Sequence, residues 1–371
     1  MQVDGLNFSA FMPKDSIGSM QAVLHAEGRG FDLFNKRTVS TIHTSVKHIR
    51  WKERDLDSIT FDAALNEGVL FASFNSTNSF LNGSMQLDAL LGKNKLDGSV
   101  MVRMDSADFN ALGFADTTFA AAFVLEGHVK SDLAQTHRFE ASVHDCYMQL
   151  ERYKVIPERI DILADTDPDS IRIDLVSGDL KMALRVGEGI DAVTVVSQSL
   201  GKKIETFRND SIQRLRLSSI FQELPHATFT LQADRYNPLH DLMEVNGMKY
   251  NSIRGKLTVS PENGVEGYMD LQGLQRDTLR VDRLHLDIAT LSQYGMFAPD
   301  SANSAEVTDS ILNKYDRMIR LTLTMDKNRF RRQPAMYGKV VADATLQGLN
   351  LRLILADGAK QDAYRIGIHG F

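Results

Sequence analysis

The chain of 371 residues holds one cysteine, Cys146, and one tryptophan, Trp51. A lone thiol excludes an internal disulfide framework and any metal site built from several cysteines. A lone indole leaves little of the aromatic platform that a sugar-binding module uses. Basic residues are in deficit: 42 Lys and Arg against 48 Asp and Glu give a net charge of −6. Nucleic acid is not the expected partner, because that ligand selects a basic face able to displace counterions. No run of about 18 apolar residues occurs, so no helix here is expected to span a bilayer. The opening MQVDGLNFSAFM lacks the basic and then apolar segments of a secretory signal. It reads as a strand joined midway. The closing AYRIGIHGF also stops inside an alternating pattern, as a section of a longer protein would.

What is abundant is alternation. The composition, 43% hydrophobic and 24% charged, can bury a core and is not that of a disordered chain. Between Leu81 and Phe114 the residues Leu81, Gly83, Met85, Leu87, Ala89 and Leu91 share one parity, opposed by Asn82, Ser84, Gln86 and Asp88. After GKNK the pattern resumes at Leu96, Gly98, Val100, Val102 and Met104. The same period of two recurs at Met20 to Ala26, Ile42 to Val46, Ile59 to Leu65, Phe119 to Leu125, Phe139 to Val143 and Leu180 to Val186. It continues at Phe229 to Ala233, Ile253 to Val259, Val265 to Leu271, Ile319 to Met325, Val340 to Leu346 and Leu351 to Leu355. This is the signature of half-buried strands. Turn residues separate them: NEG at 66–68, LDG at 96–98, DTDPD at 165–169 and PENG at 261–264. The spacing predicts meandering antiparallel hairpins rather than βαβ units.

One stretch departs from this. Ile190, Val193, Val196, Leu200, Ile204, Phe207, Ile212 and Leu215 follow a helical spacing, with Gly201 or RND at 208–210 as interruptions. A short helix is predicted over 238–246, capped by Asn237, entered through Pro238 and ended by Gly247. The plan is therefore a β section over 1–186, a helical insert over 187–225 and a second β section over 226–371.

Catalytic motifs are sparse. RVGEGIDA places Gly187, Gly189 and Ala192 as a dinucleotide fingerprint would, but the preceding strand alternates, no βαβ series follows, and Glu188 opposes a pyrophosphate. A glycine-rich strand-to-helix turn is the simpler reading. SLGKK lacks the upstream Gly and the Ser or Thr of a phosphate loop. DTDPDS begins like a calcium loop, yet lacks Gly at the sixth position and has Val176 where the bidentate Glu belongs. His144, Asp145 and Cys146 adjoin, but neighbours on a strand point to opposite faces, so they are not expected to converge. KNRFRRQ at 327–333 reads as a solvated hairpin tip. No Gly-x-Ser-x-Gly or His-Glu-x-x-His is present, so no enzyme, no metal and no cofactor is expected.

The long apolar face has two solutions. Two sheets packed face to face, or a closed barrel, would seal it into a core with no function beyond stability. A sheet curled into a gutter would keep it as a lining, which in water costs about 25 cal/mol per Å² unless an apolar guest covers it.

Several phrases carry a family resemblance. LDSITFDAALNEGVLFASF (56–74), MDSADFNALGF (104–114) and VDRLHLDIATL (281–291) are similar to the repeating strand phrases of TamB proteins in the AsmA-like superfamily. ELPHATFTLQADRYNPLHDLMEVNGMKYNSIRGKLTVSPENGVEGYMDLQGL (223–274) resembles a segment of the large Bacteroidetes-type members, and the Leu-Pro exit at 224–225 suits the same pattern. The resemblance implies a mainly β fold, a long antiparallel meandering sheet curled into an elongated apolar groove (β-taco-like). It further implies a periplasmic section of an inner-membrane-anchored protein that carries phospholipid towards the outer membrane and supports protein assembly there. The expected partners are phospholipid acyl chains and, through parts outside this stretch, a BamA-like outer-membrane barrel. The alternative is a structural or adhesive β-rich module with a closed core. The family supplies no catalytic residues. Parity assigns the lining to Leu81, Met85, Leu87, Val100, Val102, Met104, Phe119, Phe123 and Leu125. Further along it assigns Leu257, Val259, Met269, Leu271, Ile319, Leu321, Leu323, Met325, Leu351 and Leu353.

Overall fold

The computed structural model describes residues 2–7, 17–51, 54–151, 153–209, 217–292, 317–330, 336–345, 348–356 and 362–370. The chain is mainly β, antiparallel throughout, with few helices. It divides into two compact units, the first spanning residues 1–166 with 175–178 and the second 167–174 with 179–371.

The first unit strings together β1 (Gln2–Asn7), β2 (Ile17–Arg29), β3 (Val39–Trp51), β4 (Arg54–Leu56), β5 (Ile59–Asn66) and β6 (Val69–Thr77). It continues with β7 (Leu81–Gly92), β8 (Lys95–Asp108), β9 (Phe119–Ser131), β10 (His137–Leu150), β11 (Tyr153–Val155) and β12 (Ile160–Asp167). Each long strand hydrogen-bonds to its sequence neighbours, with the short β4 and β11 extending the β3 and β10 pairings. Strand β13 (Ser170–Ser177) has residues in both units. The second unit follows the same plan through β14 (Leu180–Val186), β15 (Ala227–Ala233), the two-residue β16 (Met248–Lys249), β17 (Ser252–Ser260) and β18 (Gly264–Arg276). Its remaining strands are β19 (Leu279–Ser292), β20 (Arg317–Phe330), β21 (Met336–Thr345), β22 (Gly348–Ala356) and β23 (Asp362–Gly370). Among the described residues, no register joins β1 to β12 or β14 to β23, so each meander is open.

Turn chemistry sets the registers. At NEG, Glu67 (φ 51°) and Gly68 (φ 81°) both occupy the left-handed region, as a two-residue hairpin of matched twist requires. Between β9 and β10, the Asp132 carboxylate accepts from the amides of Ala134, Gln135 and Thr136. Those donors hold its pKa down at about 2. DTDPDS is likewise a turn, with Asp167 accepting from the Asp169 amide and the Ser170 hydroxyl, each at 2.8 Å. LDG corrects the sequence reading. It lies inside β8, the turn being Lys93–Asn94, and Gly98 is there because a Cβ would sit 3.0 Å from that of Ala89 on β7. A glycine in a strand can mark close approach rather than a turn.

The helical region contains α1 (Ile190–Asn209) and α2 (Leu217–Phe221), and residues 210–216, with Ile212 and Leu215, lie outside the described residues. Helix α1 runs through Gly201 without a break, since an isolated helical glycine costs only about 1 kcal/mol. Lys203 pairs with Glu223, and the Ser199 hydroxyl donates to the same carboxylate at 2.9 Å, tying α1 to the end of α2. Helix α3 (Pro238–Val245) begins and ends as the sequence predicts: the Asn237 Oδ1 accepts from the His240 amide at 3.0 Å, and Gly247 (φ 71°) follows the last turn. Asn237 is itself buried, receiving the Tyr250 hydroxyl at 3.2 Å and donating Nδ2 to Asp179 at 2.6 Å.

The glycine-rich turn RVGEG has a packing role. A methyl on Gly189 would collide with the Pro168 carbonyl, and Glu188 turns back to accept from the His226 amide. His226 Nδ1 bonds Glu188 at 2.9 Å, and its Nε2 faces Glu262 at 3.3 Å. The hydrogen bond to Glu188 raises the imidazole pKa, with Glu262 adding to it. A group with a raised folded pKa stabilises fully below its unfolded value, about 6.5, and loses that contribution as pH rises through the folded value. His226→Gln should therefore flatten the stability-versus-pH curve over that window, read by denaturant titration at several pH values. A curve unchanged by the substitution would exclude the clamp.

Candidate functional site

The registers assemble the alternating residues into rows. In the first unit one row runs Leu24, Thr44, Phe61, Phe74, Met85, Val102, Leu125, Val143 and Ile160 from β2 to β12. The next runs Ala26, Ile42, Ala63, Ala72, Leu87, Val100, Gly127, Ala141 and Ile162. In the second unit a row runs Leu184, Phe229, Leu257, Gly267, Ile288, Leu321, Ala342, Leu351 and Ile368 from β14 to β23. Beside it run Met182, Leu231, Gly255, Met269, Leu286, Leu323, Val340, Leu353 and Ile366. Apart from Thr44, every member of these rows is apolar or glycine. Strand side chains alternate faces, so each row is one surface.

The residues that parity selects fall on these surfaces. Met85 opposes Val102, Leu87 opposes Val100, Val102 opposes Leu125, and Met104 opposes Phe123. Leu81 faces Ala107 across a bulge, and Phe119 faces Leu150 while stacking on Phe109 at 4.8 Å. In the second unit Val259 lies between Ala227 and Val265, and Leu271 and Met325 flank Leu284. Ile319 opposes Ala344. The rows add residues outside that selection, among them Phe61, Phe74, Val143, Leu184, Phe229 and Leu286. Their alternation carried the same signal, but strand partners are fixed by register, which parity alone does not give.

The surface is greasy without being sealed. Among the row members, Ala72 and Ala141 are buried, whereas Phe61, Phe74, Met85, Leu87, Val100, Val102 and Leu125 are only half-buried. Leu321 is exposed, and Ile366 and Ile368 keep 52% and 57% of their surface. Large residues in a two-layer core are ordinarily the most covered ones.

The other face bears the charge, beside the exposed apolar side chains of Val69, Phe71, Leu90 and Met101. His43 bonds Asp62 at 2.5 Å, Arg172 and Arg185 share Asp174, and Arg283 bonds Asp270 at 2.7 Å. His285 sits between Asp270 and Asp287, 2.9 Å from each. Arg320 grips Asp343 through Nε at 2.5 Å and a second nitrogen at 3.1 Å, and Arg352 approaches from the next strand at 3.2 Å. One face apolar and one face charged is how an antiparallel sheet meets two environments.

Other motifs resolve locally. His144 and Asp145 do touch, Nδ1 to Oδ2 at 3.1 Å, which corrects the strand-parity expectation: Asp145 has φ 50° at a bulge in the β9–β10 register. Cys146 is buried, and burial pushes its thiol pKa up, away from nucleophilic use. Among the described residues, no group of three or more His, Cys, Asp or Glu is placed to hold a metal. Of the basic stretch 327–333, Lys327 to Phe330 belong to β20 and 331–333 lie outside the described residues. No helix among the described residues is long and apolar enough to cross a membrane. Compared with known proteins, the chain matches no family model, no curated protein and no solved structure.

Proposed function

We propose that this protein is a non-enzymatic lipid carrier whose apolar sheet face curls into a groove holding phospholipid acyl chains. In this reading it works in the periplasm of a Gram-negative bacterium, as a TamB-like section of an inner-membrane-anchored protein serving outer-membrane biogenesis. One observation supports it above others: apolar rows run unbroken by charge from strand to strand, and their large side chains are left half-buried. Each methylene that such a face takes out of water contributes about 0.8 kcal/mol. An acyl chain supplies many methylenes and asks for no hydrogen bond. Among the described residues, the one polar side chain in these rows is that of Thr44.

The test is to purify the protein from a bacterial host, extract it and identify bound lipid by mass spectrometry. A photo-crosslinking amino acid at Val102 or Leu323 should then capture phospholipid. An extract without phospholipid, together with no lipid adduct at either position, would overturn the proposal in favour of a closed-core β module.

A further inference from the structure

The hairpin between β2 and β3 carries a feature that the carrier reading leaves unused. Its tip, GFDLFNKRT (30–38), exposes Phe31 completely and Leu33 and Phe34 by 54% and 39%. The tip is ordered all the same. Asp32 Oδ1 accepts from the Phe34 amide at 3.0 Å, Asn35 Oδ1 accepts from the Arg37 amide at 3.0 Å, and the Thr38 hydroxyl donates to the Asp32 carbonyl at 2.6 Å. Backbone bonds from Asn35 to Asp32 and from Thr38 to Asn35 close the turn. A structured loop that holds two phenylalanines and a leucine in water pays the hydrophobic cost in the free state and needs little further ordering on binding.

The charge around these side chains indicates the partner. From Arg29 to Val39, the tip and its flanking strand residues carry Arg29, Lys36 and Arg37 against Asp32. Three positive charges less one negative give +2, on a chain whose total is −6. Aromatic and leucine side chains sharing a hairpin tip with Lys and Arg match the interface of an anionic bilayer, where rings settle at headgroup depth and cations meet phosphate.

We infer that the β2–β3 tip is a membrane-docking point that inserts Phe31, Leu33 and Phe34 into the headgroup region of an anionic phospholipid bilayer. This goes beyond the carrier role and does not depend on it. The probe is flotation with phosphatidylcholine vesicles containing phosphatidylglycerol, and with phosphatidylcholine alone. The protein should float with the anionic vesicles and much less with the neutral ones. The triple variant Phe31→Ser, Leu33→Ser, Phe34→Ser should lose at least about tenfold in partitioning, while its extracted lipid content stays unchanged. A second measurement covers the case in which the triple variant folds poorly. Phe31→Cys labelled with an environment-sensitive fluorophore, Cys146 being buried, should shift to the blue on adding anionic vesicles. Failure to float, equal flotation of the folded triple variant, equal binding to neutral vesicles, or a label that stays in water while the protein is bound would each overturn the inference.

Discussion

Val102→Glu should keep the protein folded and strip it of lipid. Val102 stands in the middle of its row, between Met85 and Leu125, and is half-buried rather than enclosed. A glutamate there can turn its carboxylate towards the open side, so the expected loss of stability is about 1–2 kcal/mol. The effect on a bound acyl chain is larger. The chain would have to desolvate a charge that gains no partner, and occupancy should fall by about tenfold or more. A closed core predicts the reverse pattern: an unpaired charge trapped between layers costs about 3–5 kcal/mol, and no lipid is present to lose. Chemical denaturation and lipid quantification on the same preparation separate the two. Unfolding at low denaturant, with no lipid bound by the parent protein, would count against a groove.

Asp343→Ala should be the most damaging single change on the charged face. Asp343 is 3% exposed, and the guanidiniums of Arg320 and Arg352 both close on its carboxylate. Its hydrogen bonds raise the Arg320 pKa further, so that charge stays in place at any ordinary pH. Removing the acid leaves two cations facing each other across β20, β21 and β22. Loss of one partner from a buried pair costs about 3–5 kcal/mol, and the partial exposure of both arginines places this case at about 2–3 kcal/mol. Asp161→Ala is the control, because Asp161 and its partner Arg159 keep half or more of their side-chain surface. It should change stability by no more than about 0.5 kcal/mol. Equal effects of the two substitutions in urea titrations would show that burial of Asp343 carries no energetic weight.

The strands were legible because a period of two is imprinted residue by residue, as from Met85 through Val102 to Leu125. Helix α3 was legible for a different reason: Asn237, Pro238 and Gly247 each perform a local backbone task that few other residues can. LDG was misread because Gly98 answers to a neighbour on the adjacent strand, and cross-strand distance leaves no trace in local sequence. The contact between His144 and Asp145 was hidden in the same way, since a bulge that rotates one side chain has no motif of its own. The candidate surface was half legible. Parity supplied which residues face together, while the rows joining Phe61 to Phe74 or Leu286 to Leu323 depend on register. The ion pairs of the charged face were not anticipated, because nearly all form between strands or across two positions of one strand.

In both units each strand leans on the one synthesised just before it. Apart from the helical region between β14 and β15 and the stretch 293–316 between β19 and β20, this pattern closes short loops, so most hairpins can dock as they emerge. It also makes length an adjustable quantity: adding or deleting a whole hairpin keeps all other pairings and returns the next strand to the same phase. A lineage could thus set the width of each sheet by counting hairpins, with no redesign of the fold.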